Sequence, residues 1–168
     1  MTQEKTDSID NIKNKFKSKM KIQNERRIWL TIEPEKLVET CKWLKEKSFE
    51  HLSAISVTDW LDKGKYELTY HLWSYEKKIL ITVKTKINRE KPVIESVNTI
   101  WYENAQIHER ELHELFGVKF KGNKDLLPLF LENWKGKDPF RKDFNWRDYV
   151  RNEFYDKKDE REQVYYDQ

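Results

Sequence analysis

Residues 108–118, His-Glu-Arg-Glu-Leu-His-Glu-Leu-Phe-Gly-Val, hold the densest group of side chains that could do chemistry. A zinc protease helix carries two histidines four residues apart, because that spacing places both imidazoles on one face. Here His108 and His113 are five residues apart, which separates them by roughly 140° around a helix. Glu109 shares a face with His113, but two ligands do not make a transition-metal site. We therefore predict no catalytic and no metal site in this segment.

The same segment also fits an amphipathic helix. Three apolar residues follow the i, i+3, i+4 spacing that buries one helix face: Leu112, Leu115 and Phe116. Asn104 is the candidate N-cap, and Gly117 stands where a left-handed C-terminal cap is wanted, since glycine adopts that conformation freely. Arg110 can pair within the helix, for instance with Glu114 four residues on. A solvated charged face accounts for most such charge runs, so the pattern alone requires no function.

The rest of the chain predicts an α+β fold. Runs rich in β-branched and aromatic residues predict strands at 27–32, 51–60, 66–75 and 79–87. Helical spacing predicts a helix from Asp7 through Met20, and a second helix that begins at Pro34. In the strand at 51–60, the residues expected on one face are Leu52, Ala54 and Ser56. Two helices before three consecutive strands, with another helix after them, favour helices packed on one face of a small, mostly antiparallel sheet.

Composition indicates one globular domain with an unusually charged surface. The chain has 168 residues, of which 38% are charged and 37% are hydrophobic, whereas an average domain has roughly 25% charged residues. Lys and Arg total 33 against 30 Asp and Glu, and nucleic-acid binding would ask for a clustered basic excess. The 4 glycines include no Gly-rich phosphate loop, which excludes a nucleotide-binding enzyme.

The cysteine count and the hydropathy pattern narrow the class of protein further. Cys41 is the single cysteine and is predicted to be a buried, inert thiol, since one thiol cannot hold an iron–sulfur cluster. No apolar run approaches the ~20 residues that a membrane helix needs, and the N-terminus lacks the hydrophobic core of a signal peptide. We therefore expect a protein of a reducing compartment that reaches a membrane only through partners.

The charged helix and its surroundings resemble a known signature. Glu109-Arg-Glu and Glu114-Leu-Phe-Gly-Val118 are similar to the signature of the 30 kDa subunit of respiratory complex I. The same signature occurs in homologous subunits of energy-converting membrane-bound nickel–iron hydrogenases. Further segments that resemble the family in order and spacing are 56–60, 92–97, 120–122, 125–126, 134–136 and 139–143. Several motifs in one order make the resemblance specific.

One stretch departs from the family pattern. Where members usually carry His-Pro-Asp-Leu-Arg-Arg, this chain has Asn123-Lys-Asp-Leu-Leu-Pro128. The His and both Arg positions are lost, so any polar contacts that they make in the family are not transferred to this chain. The departure favours a divergent branch, of the hydrogenase type or otherwise atypical.

Residues 138–168 form a second compositional region. Its aromatic residues stand among dense charge and are Phe140, Phe144, Trp146, Tyr149, Phe154, Tyr155, Tyr165 and Tyr166. Disordered segments are poor in aromatics and cores are poor in charge, whereas aromatics with Arg are enriched at protein interfaces. We therefore predict a domain at 1–137 and an extended or partly helical tail at 138–168 that is ordered mainly by a partner. The alternative is that the aromatics fold back on the domain's own sheet.

The resemblance implies a hydrophilic, non-catalytic structural subunit, peripheral on the cytoplasmic side of a membrane. Its implied partners are the large subunit related to nickel–iron hydrogenases, which is the catalytic subunit of complex I, and the small iron–sulfur subunit. Those partners would hold the iron–sulfur clusters and the quinone or nickel–iron site, so we expect no cofactor in this chain. The predicted interaction residues are Glu109, Arg110, Glu111, Glu114, Leu115, Phe116, Gly117, Trp134, Pro139, Arg141, Lys142 and Asp143.

Two alternatives stay open. A stand-alone adaptor or assembly protein of the same fold would be a monodisperse soluble monomer, whereas a subunit expressed alone would aggregate or have a frayed tail. A binder of single-stranded nucleic acid would stack bases on the aromatic residues and bind in a strongly salt-dependent manner. The balanced charge makes nucleic-acid binding the weakest of the three hypotheses.

Overall fold

The computed structural model describes residues 11–12, 14–16, 19–132 and 134–155. The elements in chain order are β1 Met20–Asn24, β2 Arg27–Thr31, α1 Leu37–Glu46, β3 His51–Trp60, β4 Lys65–Ser74, β5 Ile79–Asn88, β6 Val93–Glu95, α2 Tyr102–Phe116, β7 Lys119–Lys121 and α3 Trp146–Val150. Short 3-10 turns at Pro34–Lys36 and Leu61–Lys63 precede α1 and follow β3, and a π turn at Arg151–Tyr155 follows α3.

The main sheet has five strands in the order β1-β2-β5-β4-β3. β3, β4 and β5 form an antiparallel meander, because only short turns connect them. β2 and β5 run parallel, since α1, β3 and β4 lie between them in the chain. A separate pair of short parallel strands joins β6 to β7. The prediction of an α+β fold with a mostly antiparallel sheet is confirmed.

One face of the sheet carries the core. In β4 the fully buried side chains on this face are Tyr66, Leu68, Tyr70 and Leu72. Burial, with smaller contributions from Cys41 of α1 and Glu109 of α2, raises the pKa of the Tyr70 hydroxyl. Tyr70 belongs to the same buried core cluster as Cys41 of α1 and Leu112 of α2, as the predicted one-sided packing requires. The opposite face of the meander carries polar residues, among them Glu67, Lys84 and Thr69.

The second helix predicted from Pro34 is present as α1, and its α-helical part begins at Leu37. Pro34 opens a 3-10 turn, where its fixed φ and missing amide are tolerated, and the α-helix continues from Leu37. Leu37, Cys41 and Leu44 are fully buried in the core. Burial raises the pKa of the Cys41 thiol far above its ordinary value, so Cys41 is a packed and unreactive thiol.

A β-bulge in β3 overturns the predicted face of that strand. The register with β4 shifts between Leu52 and Ala54, so residues after the bulge exchange faces. Leu52 and Ile55 are buried, whereas Ser56 is exposed. Simple alternation from Leu52 therefore places Ala54 and Ser56 on the wrong face.

The structure also contains a strand, β1, that the sequence pattern did not predict. Helical spacing assigns Met20 to the first helix, but Met20 begins β1, which pairs with β2 across the turn at 25–26. β1 is a mostly exposed, polar edge strand, so it lacks the alternation that marks a half-buried strand. The described residues before it include Ile12 and Phe16, which are helical and buried. Asp7 lies outside the described residues.

Candidate functional site

The most acidic part of α2 is used inside the molecule. Glu109 is 0% exposed, and its carboxylate accepts hydrogen bonds from Ser96 Oγ at 2.7 Å, the Val97 amide at 2.9 Å and Asn123 Nδ2 at 2.8 Å. Burial raises the pKa of Glu109, although these three hydrogen bonds oppose the shift. The predicted contact of Glu109 with a partner is therefore replaced by an internal one, which joins α2 to the loops on either side of it.

Two further charged residues of α2 hold an apolar loop, the apolar strap (residues 126–131). Arg110 donates from Nε to the carbonyl of Leu127 at 2.9 Å and from Nη2 to the carbonyl of Pro128 at 2.8 Å. Glu114 accepts the amides of the next three residues, Leu129, Phe130 and Leu131, at 3.0, 2.9 and 2.6 Å. Five backbone groups of the strap are thus hydrogen-bonded to two side chains on one face of α2.

The acidity of Glu114 reflects this arrangement. Partial burial acts to raise its pKa, but the amides of Phe130, Leu131 and Leu129, helped by the positive charge of Arg110, outweigh burial and hold the pKa below its ordinary value. Glu114 is therefore ionised at neutral pH and accepts charge-assisted hydrogen bonds, which are stronger than neutral ones. Arg110 and Glu114 were predicted to contact a partner directly; in the structure they position the strap.

The start and end of α2 are set by different residues from those that fix the strap. The predicted N-cap, Asn104, is wrong: the helix begins at Tyr102 after Trp101, and the Asn104 side chain donates to the carbonyl of Leu52 instead. The predicted C-cap is confirmed, because Gly117 is left-handed with φ 72°. A Cβ at Gly117 would lie 2.5 Å from Oδ2 of Asp138. The missing side chain at Gly117 therefore leaves room for residues 138–143, the returning segment, which packs against the end of α2.

A buried ion cluster ties that returning segment to the sheet. Arg89, at the end of β5, is 3% exposed and binds the Asp59 carboxylate of β3 through Nε at 2.8 Å and Nη2 at 3.0 Å. The same guanidinium binds Asp143 at 2.5 Å, and the amide of Lys142 donates to Asp59 at 2.9 Å. Arg141 joins the cluster through Asp143 at 3.2 Å. The predicted interaction residues Arg141, Lys142 and Asp143 thus lie together at one end of the meander.

The ion cluster shifts the acidity of its members. Burial acts to raise the pKa of Asp59, but the hydrogen bonds from Arg89 and the Lys142 amide outweigh it and lower the pKa. Hydrogen bonds from Arg89 and then Arg141 hold the pKa of Asp143 far below its ordinary range. The bonds to Asp59 and Asp143 in turn raise the pKa of Arg89. All three groups stay charged at neutral pH.

Aromatic contacts continue the attachment past residue 137. Phe140 donates its amide to the carbonyl of Leu115 at 3.0 Å, and its ring packs edge-to-face on Phe116 with centroids 5.8 Å apart. Trp134 packs on Tyr149 at 4.5 Å and on Phe144 at 5.9 Å. Packing therefore continues past the predicted boundary after residue 137, and the part of the tail at 138–149 folds back on its own domain. Tyr165 and Tyr166 lie outside the described residues.

A groove of about 820 Å³ lies between the strap, the end of α2 and the returning segment. Its apolar wall comes from the strap and Trp134, and its charged rim includes Lys119, Glu90 and Asp138. Leu127 is 66% exposed and Phe130 64% exposed. C-terminal to the strap, the large apolar residues exposed in the described part of the chain are Phe140, Trp146, Phe154 and Tyr155.

The predicted interaction residues therefore fall into two groups. Those largely engaged within the chain are Glu109, Arg110, Glu114, Leu115, Phe116, Gly117 and Arg141. Those nearer the surface are Glu111, Trp134, Pro139, Lys142 and Asp143, although Asp143 is also bound by Arg89 and Trp134 also packs on Tyr149. Three residues of the site are not among the predicted interaction residues: Asp59, Arg89 and the strap residue Phe130. Asp59 lies in the motif at 56–60, but no local pattern marks Arg89, which follows an ordinary strand.

The two histidines of α2 have different surroundings. His108 Nδ1 lies 3.9 Å from Glu111, and His113 Nδ1 lies 2.8 Å from the carbonyl of Val118, so the two imidazoles have separate neighbours. Among the described residues, no group of three or more His, Cys, Asp or Glu side chains could hold a metal ion. Within the same residues, no helix has the length and apolar character to cross a bilayer.

Comparison with known proteins agrees with the resemblance. The C-type subunit of the F(420)H(2) dehydrogenase of Methanosarcina mazei is 34% identical over 141 residues, which cover 81% of this chain and 89% of the relative. The C/D-type subunit of the NADH-quinone oxidoreductase of Phocaeicola vulgatus is 36% identical over 119 residues, which cover 69% of this chain and 22% of that longer relative. A chain of the membrane-bound sulfane sulfur reductase, an archaeal respiratory membrane complex, matches with a TM-score of 0.80 and 32% identity over 92% of this chain and 95% of that one.

The family itself is identified by a match across most of the domain. Residues 30–150 match the family described as the respiratory-chain NADH dehydrogenase, 30 Kd subunit. This range includes the ion cluster, α2, the strap and the segment that returns to the helix end. The resemblance noted from the charged helix is confirmed, and the chain belongs to the family of the 30 kDa subunit of respiratory-chain NADH dehydrogenase.

Proposed function

We propose that this chain is a non-catalytic structural subunit of a membrane-associated electron-transfer complex, and that it holds the large hydrogenase-like subunit and the small iron–sulfur subunit together. The iron–sulfur clusters and the quinone or nickel–iron site would lie in those partners. The chain would lie peripherally on the cytoplasmic side. Its contribution is geometric, since electron transfer and closure of a reaction site tolerate little displacement of the parts.

The observation that carries the proposal is the family membership together with the names of the relatives. One relative is a subunit of F(420)H(2) dehydrogenase, and another match is a chain of an archaeal respiratory membrane complex. The Phocaeicola vulgatus relative carries the designation C/D, and this chain covers only 22% of it. Its name indicates that one polypeptide contains both a C-type and a D-type subunit. We take the D-type part to correspond to the large partner subunit, and the fusion supports a direct contact between that subunit and the C-type domain.

The use of the charged residues also supports a structural role. A subunit that fixes the geometry of others must itself be rigid, and here long-range hydrogen bonds of Glu109, Glu114 and Arg89 lock three loops onto one helix and one sheet. Large apolar side chains nevertheless lie at the surface, including those of Phe130 and Trp146. Aromatic residues at a surface are the type that dominates protein–protein binding energy.

The experiment that tests this role is deletion of the gene in its native host, followed by quantification of the partner subunits and of the redox activity of the membranes. The proposal predicts that the large and small subunits no longer fractionate together and that membrane activity is lost, with both restored by the reintroduced chain. Full activity of an intact complex without the chain would contradict it. An assembly factor gives a third pattern, in which the mature complex forms slowly and lacks the chain.

A further inference from the structure

We infer that the apolar strap is a preformed docking element that inserts into an apolar hollow of the large partner subunit. The inference rests on the proposed function, and it names the part of the surface and the chemistry of the partner. The strap is an unbroken run of six apolar residues, Leu-Leu-Pro-Leu-Phe-Leu. Leu127 and Phe130 project from it and are 66% and 64% exposed.

The backbone of the strap is prepared for burial. An apolar surface can cover a loop only if the loop's polar backbone groups already have partners, because an unpaired buried group costs about 1–3 kcal/mol. Arg110 satisfies the carbonyls of Leu127 and Pro128, and Glu114 satisfies three successive amides from Leu129. The two charged side chains also fix the loop in one conformation, which reduces the entropy lost on binding.

The surroundings of the strap favour a protein partner. The rim of the groove beside it carries charges of both signs, and Lys119 and Asp138 make no side-chain ion pair with other described residues. Mixed charge around an apolar centre matches the polar rim and apolar core of a protein interface. A membrane surface would instead ask for a basic border, whereas Lys124, Asp125 and Glu132 flank the strap.

The size of the exposed patch argues against a second copy of this chain as the occupant. A stable complex buries about 800 Å² on each partner, and an aromatic side chain supplies at most about 250 Å². Leu127 and Phe130 together fall well short of that area. They fit instead as anchors within a larger interface, in which a few buried apolar side chains carry most of the binding energy.

The test compares tagged wild-type chain, Phe130→Asp, Leu127→Asp and the control Tyr75→Asp, each expressed in the native host and recovered from gently solubilised membranes. Tyr75 is 60% exposed and lies at the turn between β4 and β5. We expect the wild type and the control to recover the large subunit equally. We expect both strap variants to recover it at least about tenfold less, since removal of one anchor weakens binding by that factor or more. Unfolding in urea verifies that each variant is folded.

Each other outcome overturns the inference in a distinguishable way. Undiminished recovery by folded Phe130→Asp would show that the strap is not an anchor, while the proposed function would stand. Wild-type chain that recovers no partner subunit would overturn the proposed function and the inference with it. Binding to phosphatidylglycerol–phosphatidylcholine vesicles that Phe130→Asp abolishes, with partner recovery unchanged, would assign the strap to the membrane. A concentration-dependent dimer that Phe130→Asp abolishes, again with partner recovery unchanged, would assign it to a second copy.

Discussion

Oδ1 of Asp143 lies 2.5 Å from Nη2 of Arg89, although 54 positions separate the two residues. Arg89 directly follows β5, and Asp143 belongs to the segment that returns to the end of α2. The bond therefore closes one end of the meander against the C-terminal segment. Since the same guanidinium also binds the buried carboxylate of Asp59, one side chain links the C-terminal segment to β3.

Replacing Arg89 tests this dependence. Arg89→Ala leaves the buried Asp59 carboxylate without its partner, and loss of one member of a buried ion pair destabilises a protein by about 3–5 kcal/mol. Asp143 is half exposed, so Asp143→Ala is expected to cost about 1 kcal/mol or less. The free energy of unfolding in urea measures both. Arg147→Ala, on the exposed surface of α3, serves as the control. Equal effects of Arg89→Ala and Arg147→Ala would contradict the role of the cluster.

Glu114 is predicted to control the local stability of the apolar strap. Glu114→Gln removes the charge and one of the two acceptor oxygens that bind the strap amides. Hydrogen bonds to charged groups contribute about 1.5–3 kcal/mol, so the amides of residues 129–131 should exchange with solvent at least about tenfold faster. Hydrogen exchange followed by mass spectrometry measures this rate. The matched control is Glu111→Gln, since Glu111 lies on the same helix and its carboxylate lies 3.9 Å from Nδ1 of His108, away from the strap amides. Equal exchange in the two variants would show that Glu114 does not hold the strap.

Glu109 is predicted to make the free energy of unfolding fall as pH rises. A salt-bridged acid, whose pKa is lowered in the folded state, has the opposite effect. The pKa of Glu109 is raised in the folded state, mainly by burial, so the folded protein holds the proton more tightly than the unfolded chain does. This group's contribution to stability is therefore largest at low pH and falls as pH rises through the folded-state pKa.

Glu109→Gln removes that titration and isolates it. The free energy of unfolding of the variant minus that of the wild type should increase as pH rises from about 4 to about 7. Gln keeps one acceptor oxygen, although its NH2 group faces a donor in either orientation, the Val97 amide or Asn123 Nδ2. Glu109→Gln is therefore expected to lower stability by an amount that does not depend on pH, and Glu109→Ala, which keeps no acceptor, should be the more destabilising change. A difference between Glu109→Gln and wild type that is flat with pH would show that the three hydrogen bonds cancel the effect of burial, and one that decreases with pH would show that they outweigh it.

Gly117 is predicted to tolerate substitution less well than Gly64, although both are left-handed. Gly117→Ala and Gly64→Ala each meet a conformational cost of about 1–2 kcal/mol. A Cβ at Gly64 has no neighbour within 4 Å, whereas one at Gly117 meets the Asp138 carboxylate at 2.5 Å. The extra destabilisation of Gly117→Ala in urea should decrease when it is combined with Asp138→Ala. Equal costs at the two glycines would mean that only the backbone conformation matters.

The sequence predicts the parts of the fold that have a strong local period. β4 and β5 alternate clearly, α1 follows a proline, and the Leu112 stripe with Gly117 marks the end of α2, and each of these appears in the structure. The sequence does not predict β1, because an exposed edge strand needs no alternation. It predicts the wrong face for part of β3, because nothing local signals a bulge after Leu52.

The motif locates the candidate site, but it does not show that the charged residues of α2 make hydrogen bonds within the chain. Glu109, Arg110 and Glu114 look like surface charge when only the helix is considered. Their partners, Asn123 and the strap backbone, lie 14 to 18 positions away, and the loop that brings them back has no periodic pattern. The tail was similarly judged by composition, which cannot show that Arg89 is placed to bind Asp143. Long-range ion pairs of this kind are fixed by topology and leave no local signal.

The most direct test of the account is the composition of what co-purifies with the tagged chain from gently solubilised membranes of its native host, quantified by mass spectrometry. The account predicts a large hydrogenase-like subunit and a small iron–sulfur subunit, each in a fixed ratio to this chain through successive purification steps. Recovery of the chain alone, as a monodisperse monomer in the soluble fraction, would contradict it and would assign the fold to an adaptor.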